Sequence, residues 1–304
     1  MTEDLQPRLL ARIGDVEVHQ IPEIVISTSV RWLLPDAERP TVERAKEWMQ
    51  PDFMDENGYL LQSIHTYLLK VPGLVILIDT GVGNHKSRGG GIPAFDMLDT
   101  PFLHRLALAG VKPEDVDLVL CTHMHTDHVG WNAYLQGEEW APTFTSARHL
   151  FARPEYDHFA SASRSQAAPQ QPFDSAQGRL WRDSVEPVLK AGLVDVVEAD
   201  HQVCQEVRLE PSFGHTPGHV SIKVESKGDT AVFIGDAMHS PIQALFPELK
   251  CALGGPEEPS KRARLDLLDR YAGTGALIFG AHFAAPSGGY VRRDGAAFRF
   301  DALT

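Results

Sequence analysis

Within six residues this chain places three histidines and an aspartate: His123, His125, Asp127 and His128, in the run Cys121-Thr122-His123-Met124-His125-Thr126-Asp127-His128. Imidazole nitrogens and a carboxylate at this spacing are donors for divalent transition metals. The cluster follows Asp117-Leu118-Val119-Leu120, an apolar run that reads as a short buried strand. At a strand end His123 and His125 face one side, because extended side chains alternate with period two. Asp127 and His128 then lie on the following turn and can face a second point. One imidazole pair plus one carboxylate–imidazole pair suits two neighbouring metal ions. The alternative is a solvated polar turn, since burying this much polarity without partners would be costly. Residues 129–135 can start a helix.

Three further polar residues close apolar runs. His215 lies in Phe213-Gly214-His215-Thr216-Pro217-Gly218-His219, Asp236 in Ile234-Gly235-Asp236, and His282 in Ile278-Phe279-Gly280-Ala281-His282. A glycine beside each lets the backbone turn tightly at the strand end. Each alone reads as a capped turn. Together with the first cluster they give seven donors from four strand ends, enough for two metals.

The series HxHxDH, GHTPGH, GDAMH and GAH resembles the metallo-β-lactamase superfamily over about residues 64–283, with the strand end Asp79-Thr80-Gly81 also fitting. The resemblance implies an α/β (α+β) fold, a four-layer αββα sandwich with the site at one edge. It implies that His123, His125 and His215 hold one metal, that Asp127, His128 and His282 hold the second, and that Asp236 bridges them. His219 is then an outer or structural hydrogen-bonder. Two zinc ions are the expected cofactors, with manganese, iron or cobalt as alternatives. The implied reaction is hydrolysis by a metal-bridged hydroxide, with Asp127 carrying the proton to the leaving group.

Asp236 stands where penicillin-cleaving di-zinc enzymes often carry cysteine, which argues against β-lactams. Glyoxalase II relatives usually have a basic helical C-terminal region, whereas the residues after His282 read as strand and tail. The pattern is more similar to the lactonase and methyl-parathion-hydrolase-like branch, implying a lactone, ester or phosphotriester as a small-molecule substrate. The alternatives are a glyoxalase II-like thioester hydrolase, a mononuclear iron oxygenase on the same scaffold, or a binding module with a degenerate site.

The remaining sequence constrains partners. The chain has 304 residues and a net charge of −13. No basic footprint for nucleic acid or an anionic membrane is visible, and no apolar stretch is long enough to span a bilayer. Three scattered cysteines fit a reducing cytoplasm rather than a disulfide framework. The N-terminus shows no signal-peptide pattern. We expect a single domain over residues 1–304, with a homodimer compatible with it.

The elements that position the donors follow from pattern. Strands are expected at 16–21 and 24–30, broken at Pro22, and at 63–71 and 74–78, the last buried on both faces. Helices are expected from an N-cap at Thr41, over 102–109, 148–160 and 180–190, and over 256–271 with Arg264 outward. Residues 143–147 and six segments from 194 onward read as short strands, those of the C-terminal third suggesting antiparallel sheet. Residues 84–92, rich in glycine and cations, look like a mobile loop, and residues 161–178 like a surface insert. Asp79 either is catalytic or holds a loop. Residues 1–62 are an extension whose apolar side chains pack on the body or cover the site. From it Trp32 and Phe53, and from later loops Met238, Phe246 and Phe283, are the candidate substrate contacts.

Overall fold

The computed structural model describes residues 5–89, 91–165, 176–295 and 297–304. Among these residues the first strands are β1 (Arg8–Ile13), β2 (Val16–Thr28), β3 (Leu60–Val71), β4 (Leu74–Ile78) and β5 (Leu118–Leu120). A small hairpin follows, β6 (Ala133–Gln136) with β7 (Glu139–Pro142), and then β8 (Arg148–Ala152) and β9 (Val194–Val197). The first sheet runs β1-β2-β3-β4-β5-β8-β9. The second is built from β10 (Val207–Pro211), β11 (Val220–Ser226), β12 (Asp229–Phe233), β13 (Leu277–Phe279), β14 (Gly288–Asp294) and β15 (Ala297–Ala302), in that order.

Alternation along the strands explains the layering. In β4, Ile76 and Ile78 meet Ile222, Val224 and Phe233 of the second sheet, while Leu77 points away to Phe102 and Leu106 of the helix Phe102–Leu108. In β12, Ala231 and Phe233 face the first sheet, and Val232 packs against Leu267 and Leu268 of the helix Glu257–Tyr271. Each sheet is therefore buried on both faces, one against its twin and one against helices, which is the four-layer αββα arrangement. No helix among the described residues is long and apolar enough to cross a membrane.

Several local expectations are corrected. Pro22 does not end a strand. β2 continues to Thr28 and accommodates the proline with a register shift between Pro22 and Ile24. Proline lacks an N–H, so a bulge is where a ladder tolerates it. The N-terminal helix starts at Arg39, not at a Thr41 cap. No α-helix follows His128; a single 3₁₀ turn, Gly130–Asn132, leads into the β6–β7 hairpin. Residues 148–152 are strand, and the helix Arg153–Ser165 begins only there, with Pro154 in its first turn where no N–H is needed. β9 joins the first sheet beside β8 rather than the antiparallel second sheet, and β12 pairs β13 in parallel. Arg264 is buried, its guanidinium donating to the carbonyls of Pro247, Leu249 and Ala237. The stretch expected as a surface insert is helical up to Ser165 and again over Ala176–Leu180; its residues 166–175 lie outside the described residues.

Candidate metal centre

β4 and β5 lie side by side in parallel, so the loops after them meet at one edge. Asp79 opens the first loop in the left-handed region, at φ 54°. That strained backbone is held by its carboxylate. It accepts Thr122 N–H (2.8 Å), Thr122 Oγ1–H (2.7 Å) and His128 Nδ1 (2.8 Å). Asp79 is therefore a loop-holder. A second buried acid, Glu155, accepts Met124 N–H (2.8 Å), Thr216 Oγ1–H (2.7 Å) and Gly218 N–H (3.0 Å), tying the HxHxDH loop to the loop that carries His215. A third, Glu23 at the β2 bulge, accepts Val82 N–H (2.6 Å), Gly83 N–H (3.1 Å) and Trp131 Nε1–H (2.6 Å). Burial pushes Glu23 up to about 7. The loops themselves are zipped by Thr80 N–H to His128 O (2.7 Å), Gly130 N–H to Gly81 O (2.7 Å) and Trp131 N–H to Thr80 O (2.8 Å).

This scaffold fixes the histidine tautomers. Thr122 Oγ1 gives its proton to Asp79, so it accepts from His123 Nδ1 (3.1 Å) and leaves His123 Nε2 bare. His128 Nδ1 donates to Asp79 and His282 Nδ1 to the carbonyl of Ser63 (3.3 Å), which leaves both Nε2 atoms bare as well. His125 Nδ1 lies 3.0 Å from His123 Nε2 and 2.9 Å from His215 Nε2. Three imidazole nitrogens this close cannot all be satisfied by one proton. Ligands around a tetrahedral zinc at about 2.05 Å would be roughly 3.3 Å apart, so the set is nearly at coordination spacing.

Asp236 lies between the two groups. Its Oδ2 is 3.2 Å from His215 Nε2 and 3.6 Å from His123 Nε2, and its Oδ1 is 3.1 Å from His282 Nε2 and 3.4 Å from His128 Nε2. Asp127 completes the second group, 3.5 Å from His282 Nε2 and 3.8 Å from His128 Nε2. His123, His125, His215 and Asp236 thus form one cluster of donor atoms and Asp127, His128 and His282 another. His128 Nε2 and Asp236 Oδ1 are buried with no hydrogen-bond partner. Orphaned groups of this kind are costly unless a cation satisfies them. Burial holds His123 and His215 well below the usual imidazole range and His125 at about 4, so their lone pairs are available. Burial also acts to raise Asp236, but His282, His128, His239 and His215 outweigh it and hold the carboxyl well below its usual range. The donor set fits two metal ions.

His219 is not part of either cluster. Its Nε2 accepts the Asp236 N–H (3.0 Å), and its Nδ1 faces Ser212 Oγ (2.8 Å). It holds the backbone of Asp236. His219→Ala is expected to leave the metal content per chain unchanged. It should lower unfolding stability by about 1–3 kcal/mol, because a buried N–H loses its acceptor. Chemical denaturation alongside elemental analysis checks both.

The donors open onto a cleft of about 270 Å³ whose other walls include Ser87, Arg88, Ile92, Phe95, Arg179 and Leu253. A narrow extension of about 20 Å³ shares Ile92, Phe95 and Leu253 and continues past His239 to Ile26, Ile64 and Trp32. A larger cavity, about 530 Å³, contains none of the seven donors and lies away from them, lined by Arg12, Lys223, Arg270 and Tyr290 among others. Among the expected substrate contacts, Trp32 reaches the cleft complex and is 49% exposed. Phe53, Met238 and Phe283 lie in the core behind the second sheet, with Phe53 edge-on to Phe283 and Phe300. Phe246 packs on the same core beneath the Arg44 guanidinium. Those four face the wrong side of the sheet to wall the cleft.

Sequence reasoning passed over His239. It is buried, stacks on His282 at 5.6 Å and brings Nε2 to 3.2 Å from Asp236 Oδ2. Its place three residues after Asp236, on the same tight turn, was the available signal. The cleft walls from 84–98 and 176–190 had none, because their residues become neighbours only through the fold.

The family description "Metallo-beta-lactamase superfamily" matches residues 61–280, and the chain belongs to that superfamily. An N-acyl homoserine lactonase of Bacillus thuringiensis is 24% identical over 178 residues, covering 55% of this chain and 60% of that protein. A second, from Bacillus cereus, is 25% identical over the same length. The match thus spans less than two thirds of these relatives. Two solved structures share the fold over nearly the whole chain. One is AidC, described as a dizinc quorum-quenching lactonase in complex with a product (TM-score 0.78, 19% identity, 98% of each chain). The other is the hydrolase AbOPH (TM-score 0.79, 22% identity, 99% of each chain).

Proposed function

We propose that this protein is a dinuclear metal-dependent hydrolase of an uncharged ester or lactone carrying an apolar group, with phosphotriesters as the related substrate class. The observation that carries the reading is the convergence of seven donors, five of which line a cleft that Ile92, Phe95 and Leu253 also wall. The names of the similar lactonases support the same bond type. His123, His125 and His215 would hold one ion, and Asp127, His128 and His282 the other, with one Asp236 oxygen toward each. Zinc suits these donors, and manganese, iron or cobalt would accept them. When bound, such ions make water acidic enough to serve as a nucleophile near neutral pH and polarise the oxygen of the bond under attack.

The chain's own residues supply the rest. Asp127 has the longest contacts of the second group and the most exposed carboxylate of the set, with 14% of its side chain accessible. It can take a proton at its free oxygen and pass it to the leaving alkoxide. Ile92, Phe95 and Leu253 exclude water and hold the apolar part of the substrate, and Trp32 extends that surface to the rim.

Metal-replete protein is expected to hold about two ions per chain by elemental analysis. Its kcat/KM for a hydrophobic lactone or aryl ester should exceed that for lactoylglutathione by about tenfold or more. Rapid lactoylglutathione cleavage with sluggish ester and lactone turnover would move the protein to the thioesterase class. Trp32→Ala should raise KM about fourfold for a long acyl chain, the worth of roughly one buried methylene, and leave metal content unchanged. Identical KM values would remove Trp32 from the binding surface.

A further inference from the structure

Two cations from the segment expected to be a mobile loop are buried. Lys86 is wholly inaccessible and Arg88 nearly so. Both converge on Asp183. Arg88 donates to its carboxylate through both terminal nitrogens, at 2.7 and 2.9 Å. Lys86 donates to the Asp183 carbonyl and to Ser184 Oγ (3.1 Å), with its Nζ 4.1 Å above the Trp140 ring. Asp183 lies on a π-helical turn, Trp181–Val185, set between the helices Ala176–Leu180 and Glu186–Lys190. The wider turn adds a residue to the helical circuit, a feature that often marks functional segments.

The segment so held is a wall of the cleft. It supplies Ser87, Arg88, Ile92 and Phe95. Its base is closed by Asn84 Nδ2–H to Thr100 O (2.8 Å) and Thr100 N–H to Asn84 Oδ1 (2.8 Å). Within it, Arg88 N–H binds Asp96 Oδ1 (2.6 Å) and Met97 N–H binds Lys86 O (2.9 Å). Arg179, from the helix preceding Asp183, also lines the cleft and donates to Gly89 O (2.9 Å). Asp183 itself touches neither the donors nor the cleft.

We propose that Asp183 is a positioning residue for substrate selectivity: it latches the wall formed by residues 84–89 and 91–98 onto the Trp181–Val185 turn, and so sets the size of apolar group the cleft accepts. The part that concerns selectivity rests on the ester or lactone hydrolase reading above. Two buried cations on one carboxylate are an expensive way to fill space. Apolar side chains of the same volume would pack there at equal or lower cost, and the documented benefit of buried ion pairs is a fixed register. Burial pushes Lys86 down to about 7, a measure of how unfavourable its surroundings are for charge. Without the Asp183 charge, Arg88 is left a buried cation with no carboxylate, and Lys86 loses the anion that favours its protonated form. The Arg88 guanidinium cannot shed its charge, so it relieves that by moving to water and takes the wall with it.

The test is Asp183→Asn, which keeps shape and removes charge, in metal-replete full-length protein. The variant should hold two ions per chain. It should hydrolyse a short aryl ester with kcat within about threefold of the original protein, and lose about tenfold or more in kcat/KM for a long-chain aryl ester through KM. Trypsin should cut after Lys86 or Arg88 about tenfold faster, read by mass spectrometry of the released peptides. Ser184→Ala, a milder change at the same latch, should move the same quantities in the same direction and serves if Asp183→Asn does not fold. An unchanged chain-length profile together with unchanged trypsin resistance at those bonds overturns the proposal. So does parallel loss of metal and of turnover of every ester, which would make Asp183 a support of the donors and not of the wall. If the unaltered protein hydrolyses none of these esters, the functional reading fails, and the trypsin and metal measurements still decide whether the latch exists.

Discussion

Asp236→Ala is expected to take the metal content from about two ions per chain to fewer than one and to abolish measurable hydrolysis. The carboxylate reaches both donor clusters, with one oxygen 3.1 Å from His282 and the other 3.2 Å from His215. Its removal deletes the single negative charge shared by both sides of the pair and leaves buried imidazoles with no compensating anion between them. Loss of a group hydrogen-bonded to the ligating side chain itself costs roughly 10–100-fold in affinity or activity, and loss of a shared ligand should cost more. His219→Ala is the matched control, since it touches the same residue through the backbone and removes no donor. The comparison is elemental analysis after exhaustive dialysis, with rates measured on the same samples. Retention of both ions and of the full rate by Asp236→Ala would show that the two clusters do not share this residue.

Gly130→Ala is expected to lower stability by about 3–5 kcal/mol, well outside the usual range for a surface loop. An added Cβ would lie 1.9 Å from Val82 O and 2.0 Å from Val82 C. Both are backbone atoms, so no rotamer change relieves the clash. Relief requires the loops after β4 and β5 to separate, which breaks the Gly130–Gly81 and Trp131–Thr80 hydrogen bonds and shifts Asp79 away from Thr122 and His128. At about 2–4 °C per kcal/mol, the midpoint of thermal unfolding should drop by about 10 °C, with metal content falling too. Gly137→Ala in the β6–β7 turn offers the contrast. Nothing lies within 4 Å of its added Cβ, and the cost there is confined to a positive φ of 67°, about 1–2 kcal/mol. Equal melting temperatures for Gly130→Ala and the original protein would mean that the two loops are not in register as described.

The site was readable where donor residues are contiguous or end an apolar run. His123, His125, Asp127 and His128 declare themselves by spacing, and His215, Asp236 and His282 by following strands. The fold class followed from the same pattern. What stayed hidden depends on partners far away in sequence. Residues 84–92 have the composition of a mobile loop, but the acid that Arg88 binds lies 95 residues beyond it. The stretch after His128 has helical character, and the Gly130 contact with the preceding loop overrides it. Arg264 sits on the expected outer face of its helix, yet three carbonyls from neighbouring segments draw it inward. Met238, Phe246 and Phe283 show the opposite failure. Nearness in sequence to the donors does not reveal which side of a sheet an apolar side chain takes.

The seven donors are split between the sheets. His123, His125, Asp127 and His128 follow β5 of the first, whereas His215, Asp236 and His282 follow β10, β12 and β13 of the second. Neither half alone can complete a coordination shell, and Asp236 of one half faces histidines of the other. Ions held there would act as rivets across a seam that the chain otherwise closes by apolar contact and by a few hydrogen bonds, such as those of Glu155 to Thr216 and Gly218. A complete shell would form only once both halves have paired, so ion uptake would report the joining of the two sheets. Once seated, an ion at a hundred times its dissociation constant adds about 2.7 kcal/mol against opening of that seam. On that reading, metal supply would govern how long the finished protein survives as well as how fast it works.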